Sequence, residues 1–247
     1  MSEQIEGRNP VLEALRAGHP LIKIYILKTE TSGPLRTIMD AARHKGIPIN
    51  PVDSQALDRM AVTRNHQGVV AVAAEWKYAT LDNILQNSVA KNEPPFLVIL
   101  DGVEDPQNLG SIIRTAEAAG VHGIIIPERR AAGLTAAVSR ASAGAVEYLP
   151  VARVTNLTQT IRELKKSGLW FTGVEMDGKI ELDQADLSGP IGLVLGGEGR
   201  GISRLVAEEC DQIVRLPMWG KVNSLNVSVA SGIAFYEVRR ERKLGKK

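Results

Sequence analysis

Five short, uninterrupted apolar runs pace the second half of the chain: Phe96 to Leu100, Gly123 to Ile126, Trp170 to Val174, Gly192 to Leu195 and Ile213 to Leu216. Their length suits strands, and their lack of polar alternation implies a sheet covered on both faces. Helical spacing fills most of the gaps, over Leu109 to Ala119, Leu134 to Ser142 and Leu157 to Lys166. Apolar strands separated by helices predict an α/β fold with a parallel sheet.

The first half has the same alternation on a smaller scale. Asn9 to Ala17 reads as a helix stopped by Gly18, Ile22 to Leu27 as a strand, and Leu35 to His44 as a helix behind Pro34. A strand at Ile47 to Ile49, a helix at Ser54 to Met60 and a strand at Val69 to Ala73 complete a small α/β domain over residues 1–74. Periodicity then weakens, with room for a turn or two of helix at Leu81 to Val89, until Pro94 and Pro95 punctuate the chain. A flexible linker is expected over residues 75–95, and a second domain over 96–247.

Composition narrows the class. No apolar run approaches the roughly 20 residues that span a bilayer, and Met1 to Asn9 is polar, so neither a membrane segment nor a secretory signal is expected. A cytoplasmic location follows as the expectation. Cys210, the one cysteine of the chain, excludes an internal disulfide and a multi-cysteine zinc site, and no metal is expected. The net charge of +2 says little about nucleic acid. The basic residues of the tail are Arg239, Arg240, Arg242, Lys243, Lys246 and Lys247, set against Glu237 and Glu241; such a tail either solvates a chain end or faces a partner.

Three strand–polar loop–helix segments carry the chemistry: Asp105 to Arg114, Leu195 to Gly201 and Asn223 to Ala230. Each places hydrogen-bonding residues where backbone N–H groups at a helix start face outward. In the first, Asn108 reads as an N-cap and Arg114 lies in the second turn, poised for an anion or for an ion pair with Glu117. In the second, glycines at 196, 197, 199 and 201 miss the dinucleotide spacing, and Asp211 is misplaced for a ribose-binding acid, which disfavours a nicotinamide dehydrogenase. The glycines still allow a flat ligand close to the backbone, or simply a tight turn. In the third, an extended backbone puts Ser224 and Asn226 on one side and Leu225 on the other, although capping alone would also account for them.

In this order the three segments resemble the signature motifs of the SpoU (TrmH) branch of the SPOUT RNA methyltransferases. That branch transfers a methyl group from S-adenosylmethionine to a ribose 2′-hydroxyl. Gly7 to Leu15 resembles the opening of its N-terminal substrate-binding domain, which is similar to a ribosomal-protein RNA-binding fold. His66 to Val70 resembles that domain's closing strand, and Ser139 to Pro150 a further family segment. The match is closest to the bacterial 23S ribosomal RNA guanosine 2′-O-methyltransferases. The resemblance implies a deep trefoil knot in the C-terminal domain and a homodimer with its sites near the subunit interface.

It further implies that Asn108 and Arg114 handle the target ribose and its phosphate, that Glu198 supports the site's geometry, and that Ser224 and Asn226 complete it. Leu195, Gly196, Gly197, Gly199, Gly201, Leu216 and Leu225 would hold S-adenosylmethionine. By charge and placement, Arg8, Arg64, His66, Arg129 and Arg130 are expected to meet RNA, although His66 taken alone reads more readily as a packed or surface histidine than as a base reader. With ten aromatic residues in the chain, extensive stacking platforms are not expected. The implied partner is 23S rRNA or a large-subunit assembly particle. A tRNA enzyme of the same branch and a non-catalytic ribosome-assembly factor are the alternatives.

Overall fold

The structure is a computed structural model that describes residues 2–29, 33–62, 65–222 and 224–244. It divides into two compact units, residues 1–77 with 133–148 and residues 78–132 with 149–247. The first is built on the strands β1 (Ser2–Glu6), β2 (Leu21–Leu27), β3 (Ile49–Val52) and β4 (Val69–Ala74), in the order β1-β4-β2-β3. Strand β4 is antiparallel to β1 and β2, and β3 is parallel to β2. Helices α1 (Arg8–Ala17), α2 (Pro34–His44) and α3 (Ser54–Met60) accompany the sheet. Gly18 ends α1 in the left-handed conformation, φ 77°, the stop its sequence predicts.

Two strands differ from expectation. The third begins at Ile49 rather than Ile47 and runs on through Pro51 to Val52, which an edge strand tolerates because the missing N–H of proline need not serve the ladder. Strand β1 carried no sequence signal: it is an edge strand in which Ile5 is the one large apolar side chain, and its polar neighbours protect the edge.

The second unit holds α4 (Leu81–Ala90), β5 (Phe96–Asp101), α5 (Pro106–Ala118) and β6 (Gly123–Pro127). Helix α6 (Ala136–Ala141) lies in the segment that belongs to the first unit. The second unit resumes with β7 (Val151–Val154), α7 (Leu157–Lys166), β8 (Trp170–Val174), β9 (Ile180–Glu181), β10 (Ile191–Gly196), α8 (Arg204–Glu208), β11 (Gln212–Arg215) and α9 (Val227–Leu244). All seven strands run parallel in the order β7-β6-β5-β10-β8-β11-β9. Leu97, Ile99, Ile125 and Val194 pack with Ile84, Ile161, Leu164 and Val206 of α4, α7 and α8. Phe96, one pleat away, meets Phe235 of α9 edge-on at 6.1 Å, so helices cover both faces as the apolar runs require.

The expected linker over 75–95 is not what the structure shows. Thr80 and Asn83 form a capping box for α4, the Ala79 N–H bonds to the Val151 carbonyl at 2.8 Å, and Ile84 is fully buried beside Gly123. Its periodicity is weak because α4 buries only Ile84 and Ser88. Nor does 96–247 form one unit. Residues 133–148 join the first, where Arg140 faces buried Glu6 at 3.4 Å and Glu147 accepts from Trp76 Nε1 at 2.8 Å.

The basic tail is partly structural. Arg239 donates to the carbonyls of Ala119 and Gly120 and to Glu93. Arg242 is buried over the Phe96 ring and donates to the carbonyls of Pro94, Pro95 and Gly189 at 2.8–2.9 Å. Burial pushes its guanidinium down to about 10. Among the described residues no helix is long and apolar enough to cross a membrane.

Candidate active site

The carboxyl ends of β8, β10 and β11 open onto a cavity of about 540 Å³, the place where parallel α/β sheets present ligand sites. Its apolar wall comprises Val174, Met176, Leu195, Leu216, Met218 and Leu225, and its rim carries Glu198, Ser224 and Asn226. At Gly197 a side chain is excluded: a Cβ there would stand 1.8 Å from the Gly102 carbonyl oxygen. At Gly196 it would stand 2.0 Å from the Gly201 carbonyl carbon. Backbone therefore passes against backbone, and the glycines serve chain crossing as much as ligand approach. Gly199 (φ 78°) and Gly201 (φ 62°) supply the left-handed turns of the loop.

Three of the expected residues converge. Asn108 Nδ2 donates to Glu198 Oε1 at 2.8 Å, and Asn226 Nδ2 donates to the same oxygen at 2.8 Å and to Asn108 Oδ1 at 3.0 Å. Asn108 is not the N-cap. Pro106 starts α5, Asp105 caps it through the Gln107 N–H at 3.1 Å, and the Asn108 amide is thereby freed for Glu198. Ser224, Leu225 and Asn226 all line the cavity, so they do not divide between two faces as an extended strand would. Asn223 lies outside the described residues.

Two residues of the site escaped the sequence reading. Ser228 donates to Asn226 Oδ1 from its N–H at 2.9 Å and from its hydroxyl at 2.6 Å, which orients the amide. Glu175 lines the cavity, and its carboxylate accepts from the Ile202 N–H; burial raises its pKa above the ordinary carboxylate range. Its place just past the end of a strand legible in the sequence was the available signal.

The remaining expectations scatter. Arg114 is exposed in the third turn of α5, not the second, and pairs with no carboxylate among the described residues, Glu117 included. Arg130, in the left-handed conformation (φ 57°), lines an adjoining cavity of about 520 Å³ with Asp101, Asp105, Asn108, Glu198 and Arg200; Arg129 is exposed beside it. In the first unit, Arg8 Nε donates to the Gln67 carbonyl at 2.9 Å. His66 is buried, with Nδ1 accepting from the Gly68 N–H at 3.1 Å and Nε2 facing Asp58 at 3.0 Å, which leaves no ring nitrogen for a base. Arg64 lies outside the described residues.

The cavity suits a cationic nucleoside: an apolar wall for a purine, backbone within reach at the glycine crossings, and two carboxylates, Glu175 and Glu198, to offset positive charge. The model of the SpoU rRNA methylase family matches residues 95–236, and that of RNA 2′-O ribose methyltransferase substrate binding matches 4–79. The chain is 47% identical over 245 residues to the putative TrmH family tRNA/rRNA methyltransferase YacO of Bacillus subtilis (strain 168), covering 98% of each. An S-adenosylmethionine-bound rRNA methyltransferase from Sinorhizobium meliloti superposes with a TM-score of 0.80 at 29% identity, over 97% of this chain and 87% of that one. The TrmH/SpoU tRNA modifying enzyme of A. aeolicus superposes at 0.57 and 28% identity, over 67% and 85%. With these likenesses added to the convergence of Asn108, Glu198 and Asn226, the chain belongs to the SpoU rRNA methylase family and is an RNA ribose 2′-O-methyltransferase that uses S-adenosylmethionine.

Proposed function

We propose that the chain methylates the ribose 2′-hydroxyl of a guanosine in 23S ribosomal RNA, free or in a large-subunit assembly particle, as a cytoplasmic homodimer. The observation that carries the ribosomal substrate is the substrate-binding region at 4–79 ahead of the methylase region. The likeness to the Sinorhizobium rRNA enzyme runs through nearly the whole chain, whereas that to the tRNA enzyme covers two thirds. The test is tritiated-methyl transfer to unmodified 23S rRNA and, separately, to tRNA, followed by alkaline hydrolysis. Label in an alkali-resistant dinucleotide from 23S rRNA is expected; label only in tRNA overturns the substrate, and no label with RNA bound either brings the assembly-factor alternative forward or shows that the substrate is an assembled particle.

When bound, S-adenosylmethionine supplies an electrophilic methyl group for in-line displacement. The chain's part is to align the ribose and stabilise the charge that develops on its oxygen, and alignment contributes up to about 7–11 kcal/mol in ideal cases. Asn108 and Asn226 are held rigid by their shared bonds to Glu198. A guanidinium is a planar fork of donors that matches a phosphate, so the role of Arg114 in this proposal is a two-pronged clamp on RNA phosphate beside the reacting oxygen. Arg114→Lys retains the charge and loses the fork. Its kcat is expected to fall about tenfold with the cofactor Kd unchanged; near-normal turnover in single-turnover assays removes the clamp.

The homodimer has support in the outward stripe of α9. Val229, Ile233 and Tyr236 recur at helical spacing and are all exposed. Ile233→Asp is expected to shift sedimentation from dimer to monomer; an unchanged sedimentation coefficient argues against this face. The trefoil knot belongs to the same proposal, supported by the insertion of β10 between β5 and β8 and by the backbone crossings at Gly196 and Gly197.

A further inference from the structure

We infer that Glu198 accepts the proton of the ribose 2′-hydroxyl through Oε2, the oxygen its neighbours leave open; the inference rests on the methyl-transfer reading above. The direction of every bond in the Asn108–Glu198–Asn226 network follows from one group. The Ser228 backbone N–H can only donate, so the Asn226 atom 2.9 Å from it is the carbonyl oxygen, Oδ1. The Asn226 Nδ2 is therefore turned toward Asn108 and Glu198. Its bond to Asn108 Oδ1 in turn directs the Asn108 Nδ2 to Glu198. Both amides thus donate to Oε1, at 2.8 Å each. Two donors exclude a proton from that oxygen, and among the described residues Oε2 receives no hydrogen bond. A proton arriving at Glu198 can settle only on Oε2.

Position singles out the same group. The cofactor cavity and the adjoining cavity beside Asn108 and Arg130 share a wall, and Glu198 is the carboxylate on it. Glu175 lines the cofactor cavity alone of the two and is committed to the Ile202 N–H. Asp101, Glu104 and Asp105 line only the other; Asp101 and Asp105 are engaged with the N–H groups of Ser203 and Gln107, and Glu104 is exposed away from the shared wall. An acceptor placed where the two cavities meet reaches a ribose held in one and attacking into the other.

The step balances without a further reactant. The 2′-oxygen forms its bond to the methyl carbon as the sulfur–methyl bond breaks and its electron pair returns to sulfur, leaving a neutral thioether. The 2′-hydroxyl O–H bond breaks and its proton passes to Oε2; Glu198, then neutral, yields it to water after the products leave.

Glu198→Gln is the discriminating variant. Its side-chain carbonyl can still accept from both asparagines, while an NH₂ donor replaces the open acceptor. Expected are a kcat lower by about 10³, within the range of a lost proton acceptor, a S-adenosylmethionine Kd within about threefold of wild type, and loss of the acidic limb of the kcat–pH profile. A binding measurement complements these, made with S-adenosylhomocysteine present and the RNA that wild type methylates. RNA with a 2′-hydroxyl at the target is expected to bind wild type about tenfold tighter than its 2′-deoxy form, as suits a hydrogen bond to a charged group; in Glu198→Gln that preference disappears. Turnover within tenfold of wild type, or an unchanged deoxy preference, overturns the assignment. Absence of 2′-O-methylation by the wild type instead overturns the functional reading on which it rests.

Discussion

Gly197→Ala is expected to abolish S-adenosylmethionine binding and to lower stability by about 3 kcal/mol or more. The added carbon would stand 1.8 Å from the Gly102 carbonyl oxygen and 2.5 Å from its carbonyl carbon. Both are backbone atoms at the carboxyl end of the β5–β10 pair, where the Gly197 N–H also bonds to the Asp101 carbonyl at 2.8 Å. A side chain could swing aside, but this main chain is held by the ladder, so overpacking at the upper end of its usual cost follows. The loop that moves to relieve the clash carries Glu198, and the network to Asn108 and Asn226 is lost with it. Gly189→Ala, at a site with nothing within 4 Å, is the control. Cofactor titration calorimetry with thermal unfolding of both variants decides the matter. A Gly197→Ala protein binding within threefold of wild type would show that the crossing gives way more easily than its geometry suggests.

His122 is expected to make the second unit acid-sensitive. Its ring is fully buried, and Nδ1 accepts the Phe96 N–H at 2.9 Å, so the neutral ring carries its proton on Nε2. A second proton would have to enter on Nδ1, against a donor. Burial and then the Lys91 charge lower its pKa from 6.5 to about 4, only partly opposed by Glu93. The unfolded chain binds this proton near pH 6.5 and the folded one only near 4, so the native state holds fewer protons in that window. Stability is therefore full above pH 6.5 and falls as the pH drops toward 4, by about 3 kcal/mol in all. Urea unfolding at pH 7, 5.5 and 4.5 measures it. His122→Asn should be less stable at pH 7 and nearly flat across the window; a variant retaining the wild-type slope would assign the acid sensitivity to other groups.

Much of the second unit was legible because burial on both faces of a parallel sheet leaves continuous apolar runs, and Trp170–Val174 is found as expected. The residues of the candidate site were legible for a different reason: Glu198 and Asn226 stand in strand-to-helix loops and Asn108 in the first turn of α5, and a parallel sheet gathers such junctions at one end. What failed was whatever depends on a distant partner. Helix α4 shows a poor pattern because its one deeply buried apolar side chain is Ile84, so its sequence reads as a linker with a turn or two of helix. Arg239 and Arg242 look like solvent charges until carbonyls of residues 94, 95, 119, 120 and 189 surround them. The sequence leaves His66 between packing and RNA contact, and Asp58 and Gly68 occupy its ring.

Local sequence alone determined the strand and helix alternation, the parallel sheet and the residue types of the site, because these rest on periodicity and loop chemistry within a few neighbours. Only the tertiary structure decided that Asn226 Nδ2, 28 residues beyond Glu198 and 118 beyond Asn108, bonds to both. It likewise decided that residues 133–148 pack with the first unit and that Gly197 must be glycine. Each of those outcomes depends on which backbone arrives opposite which side chain, and that is set by the packing of the whole sheet rather than by any neighbour in the chain.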